Sequence, residues 1–176
     1  MIFDITTFTV IHVLISLVAI AAGLVVVGGL IAGKQLDGWT GLFLVTTVLT
    51  SVSGFGFDFV TLLPSHIVGA VSLVLLPVVF VARYGKRLAG RWRGVYVAGV
   101  VLVLYLNFFV LLVQLFRRVP AMLVAAPTQK EPVFIVTQLI VLVMFALLGV
   151  AAARMFRPGA VPPRGVAMPA GGVASR

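Results

Sequence analysis

The stretch S-G-F-G-F-D-F-V-T-L-L-P-S-H-I-V-G-A, from Ser53 to Ala70, joins the second and third long apolar segments of the chain. It contains Asp58, which is the only carboxylate between those segments, and His66, which is one of two histidines. Phenylalanines alternate with a glycine and an aspartate here, which predicts a compact aromatic turn at a membrane interface. Because long apolar runs leave this turn in both directions, the stretch predicts a chain reversal between two membrane-spanning helices.

The composition of the whole chain agrees with a membrane protein. Of its residues 62% are hydrophobic and only 10% are charged, and the mean hydropathy is +1.25. A soluble domain is about half apolar and about a quarter charged, so this chain has too few charges to cover a water-exposed surface. The chain has no cysteine, which excludes disulfides, thiolate metal sites, iron–sulfur clusters and covalent haem attachment through a cysteine pair.

Five apolar runs are long enough to cross a bilayer as helices. We therefore predict an all-α integral membrane bundle of five transmembrane helices, with spans at about 8–33, 39–57, 62–84, 92–116 and 132–156. The first run lacks a basic leader and is too long for a signal peptide, so it is expected to be a retained helix. Residues 158–176 are rich in proline, glycine and alanine, which predicts a flexible tail after a membrane domain of residues 1–157.

The basic residues predict the orientation of the bundle. Five of them and no acid lie in the loop from Arg83 to Arg93, and positive loops stay in the cytoplasm. An outside N-terminus and a cytoplasmic C-terminus place ten of the thirteen basic residues inside. The net charge of +9 then indicates topology and lipid headgroup contacts rather than nucleic acid. Ala121 to Ala126 is apolar but too short to span, so we expect a short helix or lid on the outer surface.

Polar side chains within the spans mark the candidate site, because such groups usually face the interior of a bundle. His12 and His66 lie at similar depth near the outer ends of the first and third spans, each above a stripe of small residues. On the second span, one face carries small and hydroxyl residues, which predicts a close helix contact; they are Thr47, Thr50, Ser51 and Gly54. Of the remaining candidates, Gln114 and Gln138 converge on the same outer half and Asn107 lies near the bilayer middle. Arg117, Arg118 and Asp58 are at the rim.

Two readings of these residues stay open. Two neutral imidazoles could ligate the iron of a haem b, with Arg117 or Arg118 pairing with its propionates. Alternatively, the histidines hydrogen-bond across helices or to headgroups, and Asn107 and Gln114 join neighbouring helices. A zinc site would want a third protein ligand, and only Asp58 is offered. Neither a nucleophile–base–acid set nor a phosphate loop is recognisable, so whether the chain is an enzyme stays open.

Three motifs carry a resemblance: H-V-L-I-S at His12, L-P-S-H-I-V-G at His66, and Y-L-N-F-F-V-L-L-V-Q from Tyr105 to Gln114. They resemble a group of small bacterial inner-membrane proteins that brings no established activity. The histidines are also distantly similar to those of transmembrane b-type cytochromes, which implies at most one haem on His12 and His66. We therefore expect a bacterial inner-membrane protein that binds a haem b or a quinone-like molecule in its outer leaflet. The rival hypothesis is a non-catalytic accessory or scaffold subunit that docks a partner membrane subunit.

Overall fold

The computed structural model describes residues 5–57 and 64–157. The predictions for Asp58 and for the tail at 158–176 fall outside these residues. Within them the chain is helical, without strands. Its elements are α1 (Ile5–Ile31), α2 (Asp37–Gly54), α3 (Pro64–Phe80), a π-helical turn (Val81–Gly85), α4 (Trp92–Arg118), α5 (Pro120–Ala125) and α6 (Pro132–Met155).

Four helical segments are long and apolar enough to cross a membrane, which indicates a membrane protein. They are Thr6–Ile31, His66–Gly85, Trp92–Arg118 and Pro132–Met155. They coincide with four of the five predicted spans. The predicted second span forms α2, but that helix is not among the four, since threonines and serines lower its hydropathy.

The helix boundaries follow from local backbone chemistry. α1 ends two residues before its predicted limit because Gly33 adopts a φ of +70°, which suits glycine alone. The Lys34 amide then donates to Gly29 O over 2.8 Å and the Gly33 amide to Leu30 O over 3.0 Å, which closes the helix in a Schellman motif. At the other end of the chain, Pro132 begins α6, where its missing N–H costs nothing.

The core forms around α4, which packs against α1, α3 and α6, while α2 packs between α1 and α3. α4 buries a face of small and medium-sized side chains, including Val100, Val103 and Leu104. Gly23 of α1 permits close packing there, because a Cβ atom at this position would lie 2.5 Å from Leu104 Cδ1 and 2.8 Å from Phe43 Cε2. Close contact through small residues is the usual way in which helices associate in lipid.

Two irregular elements interrupt the long helices. Pro77 lies inside α3, where it removes a backbone donor, and four residues later the helix changes to a π-helical turn. Between α4 and α6, the apolar loop segment forms the short helix α5, as its sequence predicts. Val124 of this helix is 82% exposed, whereas Ala126 at its end is fully buried and fixes the loop to the bundle.

Candidate functional site

Both histidines contact the C-terminal end of α2, His12 from α1 and His66 from α3. His12 on α1 forms a 2.7 Å hydrogen bond between its Nδ1 and Ser53 Oγ, and Phe57 stands edge-on to its ring at a centroid distance of 5.1 Å. His66 on α3 is 4% exposed and stacks on Phe55, with ring centroids 6.1 Å apart and planes 20° apart. Both rings therefore contact the same helix end, and their matched depth in a membrane stays a prediction.

These contacts do not test shared haem ligation. A bis-histidine haem needs both rings turned towards one iron, each about 2 Å from it. Here Ser53 bonds only Nδ1 of the first ring, as the neighbours of a metal-ligating histidine commonly do, and Phe55 stacks on the face of the second ring. Among residues 5–57 and 64–157, no group of three histidine, aspartate or glutamate side chains is placed to hold a metal ion.

The polar side chains in the middle of the bundle and near the start of α6 mostly join helices. Asn107 Nδ2 donates to Thr47 Oγ1 over 3.4 Å, which links α4 to α2. Gln138 Nε2 donates to Phe109 O over 3.4 Å, which links α6 to α4. The buried Oε1 of Gln138 has no hydrogen-bond partner. These contacts agree with the reading in which Asn107 and Gln138 hold the bundle together.

The predicted outer convergence therefore divides into two groups. His12 and His66 gather around the end of α2, whereas Gln138, Gln114 and the arginines belong to the α4–α6 side. Gln114 is half-buried, and Arg117 and Arg118 are exposed at the end of α4. We call the end of the bundle that carries both groups the histidine end.

A pocket of about 430 Å³ opens at the histidine end beside Arg117. It is half-open, and its exposed lining is mainly polar. Its lining residues are Phe116, Arg117, Leu123, Pro127, Thr128 and Gln129. Such a lining can contact a polar group, whereas the apolar part of a ligand would find little contact within it.

The loop that closes the pocket has a fixed shape. Gln129 has a φ of +60° and donates from its Nε2 to Val113 O over 2.9 Å, which ties the loop to α4. One Glu131 carboxylate oxygen accepts hydrogen bonds from Thr128 N and Thr128 Oγ1 at 3.1 and 2.8 Å, and the other accepts from Lys130 N at 3.0 Å. Desolvation raises the pKa of Glu131, but its hydrogen bonds together outweigh this effect and hold the pKa below its ordinary value.

A second polar cluster lies at the opposite end, which we call the basic end. Arg83, in the π-helical turn, forms a salt bridge with Asp37 at the start of α2, and its guanidinium lies 5.6 Å from the centre of the Tyr96 ring. Thr40 Oγ1 lies 3.3 Å from the Tyr96 hydroxyl. The Arg83 side chain is only 9% exposed. From the sequence, this residue was predicted only to mark a cytoplasmic loop.

The lipid-facing surface carries a shallow apolar groove of about 390 Å³ between α4 and α6. Small residues from both helices line it, among them Gly94, Ala98, Ala146, Gly149 and Ala153. A Cβ atom added at Gly94 would meet nothing within 4 Å, so the groove is open at that level.

Sequence reasoning missed Thr128, Gln129 and Glu131 as parts of a site. Their signal is the polar segment T-Q-K-E between Pro127 and Pro132, which is short, bounded by prolines and adjacent to Arg117 in the folded chain. Comparison with known protein families, with curated protein sequences and with solved structures finds no match to this chain.

Proposed function

We propose that this protein is a five-span protein of the bacterial inner membrane that binds a small amphipathic ligand in the Arg117 pocket. The proposal has two parts, a topology and a ligand site, and each has its own support. The observation that carries the ligand site is the half-open pocket of about 430 Å³, whose mainly polar exposed lining includes Arg117 and Thr128 beside Phe116 and Leu123.

The fifth span is α2, and its exposure pattern supports this assignment. Its hydroxyl side chains Thr47 and Ser51 are buried, whereas its outward side chains are apolar, with Val45 and Val52 54% and 55% exposed. A helix in water shows the reverse pattern. Its 18 residues would extend about 27 Å, close to the roughly 30 Å of a bilayer core.

The orientation follows from the two ends of the bundle. Among the described residues, eight basic side chains lie at the basic end and three lie at the histidine end. The eight are Lys34, Arg83, Lys86, Arg87, Arg91, Arg93, Arg154 and Arg157, and the three are Arg117, Arg118 and Lys130. Basic residues are retained on the cytoplasmic side, so the histidine end and the N-terminus face outwards.

A quinone-like head suits the chemistry of the pocket better than a haem. The Arg117 guanidinium and the Thr128 hydroxyl can donate hydrogen bonds to carbonyl oxygens. Leu123 and Val124 of α5 are 42% and 82% exposed, so an isoprenoid tail could lie against them. A haem b would instead need His12 and His66, which contact the end of α2 and do not line this pocket.

Ligand capture by the purified protein tests this site. The protein is purified in mild detergent and titrated with a benzoquinone that carries a decyl tail, and the bound quinone is quantified after removal of the free molecule. Arg117→Gln should weaken binding by roughly ten-fold or more, because a hydrogen bond from a charged donor is worth about 1.5–3 kcal/mol.

Arg118→Gln is the matched control, because Arg118 is the exposed neighbour of Arg117 and does not line the pocket. It should leave the affinity unchanged. Equal affinities for the wild type and for Arg117→Gln would refute the quinone-like assignment. A Soret band that disappears in His12→Ala or His66→Ala would replace it with the haem hypothesis.

The α4–α6 groove supports a second candidate function, that of an accessory subunit. Small residues on both walls would let a transmembrane helix of a partner subunit approach closely, and Gly94 is open to such an approach. In cells, a photo-crosslinking residue at Ala98 should then give a discrete adduct, whereas one at the lipid-facing Val74 of α3 should not. Adducts of equal yield at both positions would indicate random membrane encounters and contradict this candidate.

A further inference from the structure

The loop between the π-helical turn and α4 is folded back onto the bundle. Leu88 is only 4% exposed, and its amide donates to Ala82 O over 3.0 Å. Arg87 and Leu88 have φ angles of 47° and 60°, a left-handed conformation that is unfavourable for residues other than glycine. The burial of Leu88 offsets this cost, so the loop has a fixed shape.

This fixed loop presents three exposed basic side chains, Lys86, Arg87 and Arg91. Lys86 Nζ lies 5.8 Å from the centre of the Trp92 ring, which is within the range of a cation–π interaction. Tryptophan is enriched at the level of the lipid headgroups. Asp37 is the only acid at the basic end within the described residues, and it already forms a salt bridge with Arg83. The positive charge of the three loop residues is therefore left without an acidic partner in that part of the chain.

The surface beside the loop is apolar and open to lipid. Val78 and Val81, on the last turns of the third span, are 44% and 45% exposed, and Tyr84 beside them is 53% exposed. Acyl chains can lie against these side chains while a phosphate reaches the loop. A molecule that meets both surfaces must carry an anionic head and apolar chains.

We propose that Lys86, Arg87 and Arg91 form a binding site for the phosphate group of an anionic phospholipid. Arg87 is the central residue, because the left-handed turn at 87–88 presents it on the surface while Leu88 is inserted into the bundle. Arg83 is a structural neighbour, since its guanidinium is committed to Asp37 and packs over Tyr96. The site uses the opposite end of the bundle from the Arg117 pocket and does not depend on it.

The test is a lipid titration of the full-length protein, read by native mass spectrometry, with phosphatidylglycerol and phosphatidylcholine compared. Arg87→Gly removes the side chain at a position whose φ suits glycine, so the loop should keep its shape and the melting temperature should stay close to that of the wild type. Affinity for phosphatidylglycerol should fall about five-fold, because one basic residue near a membrane surface contributes about 1 kcal/mol. Arg87→Lys should retain most of the affinity.

Arg154→Gln is the control, because Arg154 is exposed at the same end, on the last turn of α6, and lies outside the loop. It should change the affinity by less than two-fold. If Arg154→Gln weakens binding as much as Arg87→Gly, total charge explains the effect and the site is refuted. Equal binding of phosphatidylcholine, or displacement of phosphatidylglycerol by millimolar inorganic phosphate, would also overturn the assignment. Should Arg87→Gly melt early, Lys86→Gln provides the same comparison.

Discussion

Gly23 is the position at which a single methyl group should disturb the packing of three helices. A Cβ atom there would lie 2.5 Å from Leu104 Cδ1 and 2.8 and 3.0 Å from two atoms of the Phe43 ring. Leu104 and Phe43 are both fully buried, so neither can move aside into open space. Overpacking of this kind costs about 1–3 kcal/mol, which exceeds the roughly 1 kcal/mol that alanine gains over glycine in a helix.

Gly23→Ala should therefore destabilise the protein by up to about 2 kcal/mol. Gly28→Ala is the matched control on the same helix, because a Cβ atom at Gly28 would meet nothing within 4 Å, so it should be neutral or slightly stabilising. Unfolding in mixed micelles of mild and denaturing detergent, followed by circular dichroism, measures both. If the two variants unfold at the same detergent fraction, the close contact of α1 with α2 and α4 is refuted.

Two further predictions concern the histidine end. The carboxylate of Glu131 orders the pocket loop, and its pKa is depressed, so this contribution is present above pH 4.5 and is lost as the pH falls through the folded-state pKa. The affinity for decyl-benzoquinone should fall over that pH range. The Glu131→Gln variant should bind the quinone more weakly already at pH 7, and its affinity should change less on acidification. If the affinity of Glu131→Gln falls with acid as much as that of the wild type, the role of this carboxylate is contradicted. A double-mutant cycle of His12→Ala and Ser53→Ala should give a coupling of about 0.6 kcal/mol, as in other membrane bundles, whereas zero coupling would show that their 2.7 Å hydrogen bond does not stabilise the fold.

The long helices were predictable because hydrophobic run length carries their signal. The spans at 92–116 and 132–156 match α4 and α6 to within about two residues. The buried face of α2 was also predicted, from the spacing of Thr47, Thr50, Ser51 and Gly54. Thr47 and Ser51 are buried, and the other two are half-buried. The short helix α5 followed from an apolar segment too short to cross a membrane.

Contacts between helices were harder to predict. Periodicity shows which face of a helix carries polar or small residues, but it does not show which neighbouring helix that face contacts. The sequence predicted His12 and His66 at one depth, yet it could not show that Ser53 and Phe55 of the α2 end would contact their rings. These contacts leave the haem hypothesis untested, so it stays a prediction.

The burial of the Arg83 side chain could not be predicted from the sequence either. A basic loop predicts topology whether its residues are exposed or not, and the burial of Arg83 depends on the π-helical turn and on Tyr96 of a different helix. The pocket loop was missed for a related reason. A polar segment between two prolines indicates a turn, but its position beside Arg117 is a property of the folded chain.

The position of α2 across the bilayer is the central claim, and single-cysteine accessibility tests it most directly because the chain has no cysteine of its own. The measurement labels Gln35→Cys, Ala89→Cys and Gln129→Cys with a membrane-impermeant maleimide in intact cells and after lysis. If α2 spans, positions 35 and 89 lie on the same side, in the cytoplasm, and only position 129 is labelled in intact cells. Labelling of either position 35 or position 89, but not both, in intact cells would show that α2 does not cross and would contradict the five-span account.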